Sequence, residues 1–509
     1  MVSFAFSWRL LCLFLACSQA NPVPSRGYQV VERLPGVPEG WTEHGAPSSS
    51  TLVKFRMAIR HNRMAEFEQR TIDIATPGSH LYGHFMTGEE VNDFLRPSDD
   101  AVRTIFSWMK SEHIPEDSTE RHGNWITFTV PISQAEKLLD TQFHYFRNEV
   151  SQKADIRTLS YFVPKDVYAH VQMIQPTTRF GQPSLQRVLE SSYSPVPVNF
   201  ESQEDCSFTV TPRCLRKLYG VYDTIAHPDP KNKLGVSGFL DQYARYEDFH
   251  SFIRTFSPHN NETHFTVTSI NGGLNEQNSS RPSSEASVDI QYALSLAYNT
   301  TATYFTTGGL GPSASGTDQL NRGSSANEPY LEQLHYILGL PDDDLPAVLS
   351  TSYGEYEQTV PRSYANETCN MFAQLGARGV SVVFASGDSG AGGSCVSNNG
   401  SNRTRFLPAF PASCPFVTAV GGTHGANPEK AVHFSGGGFS EIFPRPKYQD
   451  EVVHKYFDKL DNKWDGLYNQ QGRGVPDVAA QAVDFTFVDH GRYQKFSGTG
   501  FVIQSYYSW

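Results

Sequence analysis

Val380-Ser-Val-Val-Phe-Ala-Ser-Gly-Asp-Ser-Gly-Ala-Gly392 decides the fold. Its first six residues are mostly branched and apolar, too few for a helix and followed by a glycine-rich run, so they read as a strand buried on both faces. A helical pattern from about Glu367 to Arg378, closed by Gly379, leads into it. Helix, glycine, buried strand and glycine-rich turn make one step of an α/β fold. The same step recurs outward in both directions, with strands expected at Leu234–Leu240, His264–Ile270, Ala302–Thr306, Ala347–Ser350 and Phe416–Val420. Such alternation predicts a mostly parallel sheet with helices on both faces. In sheets of this kind the chemistry lies beyond the carboxyl ends of the strands, where Asp388 stands. The glycines around Asp388 let the backbone turn tightly and approach a ligand. An ordinary surface turn uses Asp-Ser-Gly as well.

The second informative stretch runs from Ser284 to Tyr298. Pro282 and the two serines after it are helix-start signals, and Ala286, Ile290, Ala293 and Ala297 follow at helical spacing. Glu285 and Asp289 are one turn apart on a face beside that stripe. Like charges at this spacing cost a few tenths of a kcal/mol, about the size of an ordinary surface pair effect. Two readings stand at this point: a solvated acidic first turn that complements the helix dipole, or a functional carboxyl pair. A carboxyl-pair glycosidase fits the pair only loosely, because no aromatic sugar platforms are assignable.

Composition and ends bound the function class. The chain has 509 residues, room for two or more domains, and a net charge of -12, which argues against a nucleic-acid binder. No polybasic or amphipathic membrane anchor is visible. Met1–Ala20 reads as a secretory signal: Arg9, an apolar run from Leu10 to Cys17 too short to span a bilayer, then small residues at Ser18 and Ala20. Six N-x-S/T sequons, at Asn261, Asn278, Asn299, Asn366, Asn399 and Asn402, agree with secretion. Beyond the signal, Cys206, Cys214, Cys369, Cys395 and Cys414 remain, an odd number for an oxidising compartment. Residues 21–190 read as an α+β unit, with strands at Val53–Ile59 and Trp125–Val130, two helical patterns split by Pro97 between Glu90 and Trp108, and a helix from Ala135. Residues 191–205, rich in proline and serine, read as a linker or processing region, which suggests a removable propeptide.

Together these stretches closely resemble the sedolisin family of serine-carboxyl peptidases, and within it the secreted fungal tripeptidyl peptidases. In the leading unit Leu34-Pro-Gly-Val-Pro-Glu-Gly-Trp41, His80-Leu-Tyr-Gly-His84 and Pro176-Thr-Thr-Arg-Phe180 are similar to the family's activation domain. Further on the matching runs are Thr211-Pro-Arg-Cys-Leu215, Glu285-Ala-Ser-Val-Asp289, Ser350-Thr-Ser-Tyr-Gly354, Ser386-Gly-Asp-Ser-Gly390, Ser435-Gly-Gly-Gly-Phe439 and Pro476-Asp-Val-Ala479. The resemblance implies a subtilisin-like catalytic domain over residues 206–500 behind a ferredoxin-like prodomain, activated by acid. It implies a polypeptide substrate, the chain's own prodomain as a partner, and a monomer. It assigns Glu285 as general base, Asp289 as the carboxylate that orients it, and Asp388 as the oxyanion-hole acid. Chemistry explains the choice: a histidine base is almost fully protonated at about pH 4, whereas a glutamate still accepts a proton there. Two close carboxyls share a proton, and a protonated Asp388 can donate to a developing oxyanion.

The resemblance breaks at one residue. The family's nucleophilic serine follows Gly-Thr, and here Gly498-Thr499 is followed by Gly500. Residues 501–509, Phe-Val-Ile-Gln-Ser-Tyr-Tyr-Ser-Trp, do not match the family. The family's calcium-binding segment lies further on, so its ligands are expected to be missing, and an altered splice or reading frame is the expected origin of the tail. On this reading the catalytic domain is C-terminally incomplete, and Ser505 and Ser508 have nothing to place them beside Glu285. The family activity is then tripeptide release from polypeptide N-termini. The alternatives are a non-catalytic peptide binder and an internally cutting acid peptidase.

Overall fold

The computed structural model describes residues 25–180, 206–221, 231–260, 263–311, 328–398 and 401–502, apart from positions 26, 35, 39, 150, 151, 153, 207, 208 and 501. The signal, the expected linker and the tail from 503 lie outside the described residues. So do the sequons at Asn261 and Asn399. No helix among the described residues is long and apolar enough to cross a membrane.

The leading unit is built on a four-stranded antiparallel sheet. Its order is Thr119–His122, Trp125–Pro131, Leu52–Ile59, Val171–Gln175. Helix Asp99–Ser111 lies between Leu52–Ile59 and Thr119–His122, and helix Ile132–Leu138 between Trp125–Pro131 and Val171–Gln175, which is the β-α-β-β-α-β arrangement expected for a ferredoxin-like prodomain. Phe55, Met57, Ile105, Met109, Ile126 and Phe128 are among the side chains of its core. Pro97 falls between helices Gly88–Phe94 and Asp99–Ser111, and Ser98 caps the second through the Ala101 amide at 3.1 Å. The helix Met64–Ala75 was not expected from the sequence: its apolar positions are few, and it is fixed by packing Phe67 and Ile74 against the following domain.

That domain carries eight strands in one sheet. In chain order they are β1 (Lys233–Gly238), β2 (Phe265–Ile270), β3 (Thr301–Thr307), β4 (Val348–Thr351), β5 (Ser381–Ala385), β6 (Thr418–His424), β7 (Lys430–Ala431) and β8 (Val478–Gln481). Spatially they run β2-β3-β1-β4-β5-β6, and β6 pairs with both β7 and β8. Every pairing is parallel except the short one to β7. Helices cover both faces. Helices α1 (Tyr246–Phe256) and α2 (Ser284–Leu296) share a core with Leu234, Val236, Ala302 and Tyr304. Helices α3 (Tyr330–Leu338) and α4 (Arg362–Ala377) share the opposite core with Phe305, Leu349, Val382 and Phe384. Neighbouring residues of one strand, such as Tyr304 and Phe305, thus enter opposite cores, as the period of two requires.

The prodomain sheet lies on α3 and α4. Ala58, Trp125 and Met173 join the core beneath those helices, and Arg56 pairs with Glu332 at 2.6 Å. Two disulfides, Cys206–Cys214 and Cys369–Cys414, both lie inside the sheet domain. Cys395 belongs to neither, and its thiol points to the carbonyl of Gly392 at 3.1 Å.

Candidate active site

Helix α2 is buried almost all round, not only along the stripe its alanines suggest. The solvated acidic turn is therefore excluded: Asp289 is 1% exposed and Glu285 is only partly open. The helix starts at Ser284, as the helix-start signals predict. Ser283 gives the helix no side-chain cap; its hydroxyl instead accepts the amide of Tyr243 at 3.1 Å. The helix start is held by other means. The Ser283 amide donates to Asp489, which forms a buried 2.6 Å ion pair with Arg245. Further along, the Gln291 amide group donates to the Val488 carbonyl at 2.7 Å and accepts from the Val488 amide at 2.9 Å. Both anchors belong to one hairpin, Phe485–Asp489 with Arg492–Phe496. The hairpin runs on into Thr499 and Gly500, so one element sets both the helix and position 500.

The carboxyl ends of adjacent strands β4 and β5 supply the rest. Beyond β5, Gly387, Gly390 and Gly392 all have positive φ, so the tight turn read from the sequence is real. Gly436 lies so close to the Ser386 carbonyl that any side chain there would overlap it. On this turn Asp388 Oδ1 accepts from the Thr499 amide at 2.7 Å and from the Thr499 hydroxyl at 2.9 Å. Beyond β4 stands Ser352. Its hydroxyl lies 2.7 Å from Asp289 Oδ1 and 2.9 Å from the Gly500 carbonyl. Glu285, Asp289, Asp388 and Gly500 are thus brought to one place by a helix, two strand ends and a hairpin.

Position 500 points at Glu285. A Cβ built on Gly500 would overlap Glu285 Oε1 and stand 2.8 Å from the Ser352 Cβ. Glu285 Oε1 is buried there without a hydrogen-bond partner. The Glu285 pKa is raised well above its ordinary value, first by burial and then by the negative charges of Asp289 and Asp388; only the Ser352 hydroxyl works the other way. The Asp388 pKa is raised too, again by burial, with its bonds from Thr499 opposing the shift. Since Oδ1 is taken up by Thr499, the proton of Asp388 belongs on Oδ2, the oxygen free to donate.

Ser352 and Thr499 are the site residues that sequence reasoning did not assign. Ser352 ends a buried strand just as Asp388 does, and that shared position was the available signal. Ser505 and Ser508 lie outside the described residues. Among the described residues no three His, Cys, Asp or Glu side chains gather to hold a metal ion.

Residues 39–180 match the family model described as the Pro-kumamolisin activation domain. The chain is 48% identical over 507 residues to tripeptidyl-peptidase SED4 of Arthroderma otae, spanning 98% of this chain and 84% of that protein. It is 48% identical over 488 residues to a probable tripeptidyl-peptidase SED3 of Trichophyton verrucosum, spanning 96% and 82%. Among solved structures, Pseudomonas sedolisin complexed with pseudo-iodotyrostatin aligns over 58% of this chain and 78% of that one, at 18% identity and a TM-score of 0.39.

Proposed function

The chain belongs to the sedolisin family of serine-carboxyl peptidases, and from that premise we propose a secreted acid tripeptidyl-peptidase cleft that has lost its nucleophile at position 500. Tripeptidyl-peptidase is the activity named for its fungal relatives, and for this cleft we read it as tripeptide release from polypeptide N-termini. The observation that carries the reading is the aim of residue 500 straight into the Glu285 carboxylate.

A serine at this position would bring its hydroxyl to Glu285, once the carboxylate swings out of the space it now fills. Glu285 would take the hydroxyl proton as the oxygen attacks the scissile carbonyl, and would return it to the leaving amine. Asp289, held by Ser352, would keep the Glu285 carboxyl in register and share its proton. Asp388 Oδ2 would donate to the oxyanion, which works only while Asp388 is protonated. Burial supports that role by extending the protonated range upward from the ordinary carboxyl value. The calcium of the family, structural where it occurs, takes no part in these steps.

Without the hydroxyl, turnover falls by roughly a millionfold while the peptide groove remains. The full-length chain, incubated in acid with oligopeptides, is expected to bind them and release no tripeptides. The G500S variant is expected to gain tripeptide release, seen by mass spectrometry of the products. Tripeptide release by the unaltered chain overturns this reading of position 500.

A further inference from the structure

We propose that the seam between the prodomain and the sheet domain holds a small polyvalent oxyanion, of the phosphate or polycarboxylate kind, which bridges the two domains. The site stands apart from the cleft and does not depend on its activity.

A cavity of about 660 Å³ lies in that seam, within the size range of small-molecule sites. On the sheet-domain side it is walled by Asn271 at the end of β2, by Gly309 and Gly311 beyond β3, and by Glu332 of α3. Carboxyl ends of parallel strands are where ligands of such sheets bind. On the prodomain side stand Lys54 and Arg56 of one strand, Asp155 and Arg157 of another, and Arg179. Lys54 and Arg56 are two residues apart, so both leave their strand on the face opposite Phe55 and Met57, which fill the prodomain core.

Four cations thus face two acids, and the acids are already spent. Glu332 pairs with Arg56 at 2.6 Å, and Asp155 with Arg157 at 3.3 Å. Arg179 lies 4.6 Å from the Tyr364 ring centroid and reaches the Met173 sulfur at 3.6 Å, but it forms no ion pair among the described residues. Glu32 adds to its field, yet the Glu32 oxygens accept from the hydroxyls of Thr178 at 2.7 Å and Ser363 at 3.4 Å. Burial lowers the Arg179 pKa to about 10 against the pull of Tyr364, Glu332 and Glu32, as expected of a cation short of counter-charge. Donors are in excess as well. Trp41 lines the same cavity, and its indole N–H is buried without an acceptor. Among the described residues nothing accepts from the amides of Gly309 and Leu310. Leaving buried donors unanswered is unfavourable. A metal cation is repelled by this wall, and a neutral sugar answers the donors but not the charge. An oxyanion answers both, and guanidinium groups match its geometry. Since the cations come from the prodomain and the amides from the sheet domain, the bound anion fastens one to the other.

The test is equilibrium dialysis of the full-length chain at about pH 6 against inorganic phosphate and, separately, citrate, with chloride holding the ionic strength constant. At least one of them is expected to bind saturably, one per chain, and the tighter of the two tells a phosphoryl from a polycarboxylate ligand. R179Q is expected to weaken binding about tenfold or more, and K54Q, at an exposed side chain, about three- to tenfold. The bridge is read by amide hydrogen exchange of Val171–Gln175, the prodomain strand whose Met173 docks on the sheet domain. The bound anion is expected to slow that exchange about tenfold in the parent and much less in K54Q at the same anion concentration. Saturable binding of neither anion, or binding that both variants leave unchanged, overturns the site. Binding that leaves the exchange unaltered overturns the bridge. K54Q decides alone where R179Q does not fold.

Discussion

At the scale of single residues, Glu285 is a buried acid whose return is chemical and not structural. Its pKa is higher in the folded chain than in the unfolded one, so the folded state binds the extra proton. Stability from this group is therefore fully present below the ordinary carboxyl value and is lost as pH rises toward the folded pKa. E285Q is expected to raise the melting temperature at neutral pH and to change it little near pH 4. A variant that melts earlier than the parent at neutral pH contradicts the sign. The acids of the candidate site were legible through the family resemblance: spacing alone left Glu285 and Asp289 between a solvated acidic turn and a functional pair, and Asp388 on its glycine-rich turn between a surface turn and a site. Their partners were not. Ser352 lies 63 residues from Asp289, and Thr499 lies 111 from Asp388, and no local pattern announces a contact across such intervals. Gly500 was legible as a mismatch, but its aim at Glu285 is a fact of the folded backbone.

Helix α2 is held both by its buried apolar side chains and by the hairpin Phe485–Phe496. Gln291 completes that hairpin as a strand neighbour would, giving and taking one bond with Val488. Q291L would strand a buried amide and a buried carbonyl and is expected to cost about 2–5 kcal/mol, measured by denaturant unfolding. It should also loosen position 500, so protease susceptibility near Thr499 is expected to rise. A loss below about 1 kcal/mol would mean that the hairpin does not hold the helix. The parallel strands were legible because each is a short apolar run between breakers, and β1 to β6 fall within a few residues of expectation. The hairpin is not among the expected strands, although Asp489-His490-Gly491 joins it, with His490 and Gly491 at positive φ, the mark of a tight two-residue connection. Its strands are short, and its alternation, Phe485-Thr-Phe-Val-Asp489, is broken by Val488.

Over the whole molecule, the prodomain meets the sheet domain through a histidine that resists protonation. His335 on α3 packs edge-on against Trp125 of the prodomain, ring centroids 4.7 Å apart, and its Nε2 is buried without a partner. Arg56 and Arg179 of the prodomain face it, with Glu332 on its own helix paired to Arg56. Burial, then those two arginines, push its pKa down to about 4. Once the domains part, the ring returns toward its usual value of about 6.5. Docking is thus unpenalised above that value and weakens as pH falls, up to about 3 kcal/mol once pH is below 4. Glu32, buried between Thr178 and Ser363 with a raised pKa, acts in the opposite sense and tempers the effect. In H335Q, amide exchange of Trp125–Pro131 is expected to stay protected to lower pH than in the parent; an unchanged profile removes His335 from the process. That two domains exist was legible from the shift in character near Cys206. The face they share was not, since Ala58, Trp125 and Met173 read as ordinary core residues of their own unit. Both disulfides sit after residue 205, and residues 21–205 contain no cysteine at all. After a cut in the connecting segment, the leading domain is therefore an independent ligand whose grip obeys mass action. Dilution would then part the two domains, crowding them together would rejoin them, and no reductant would be needed for either.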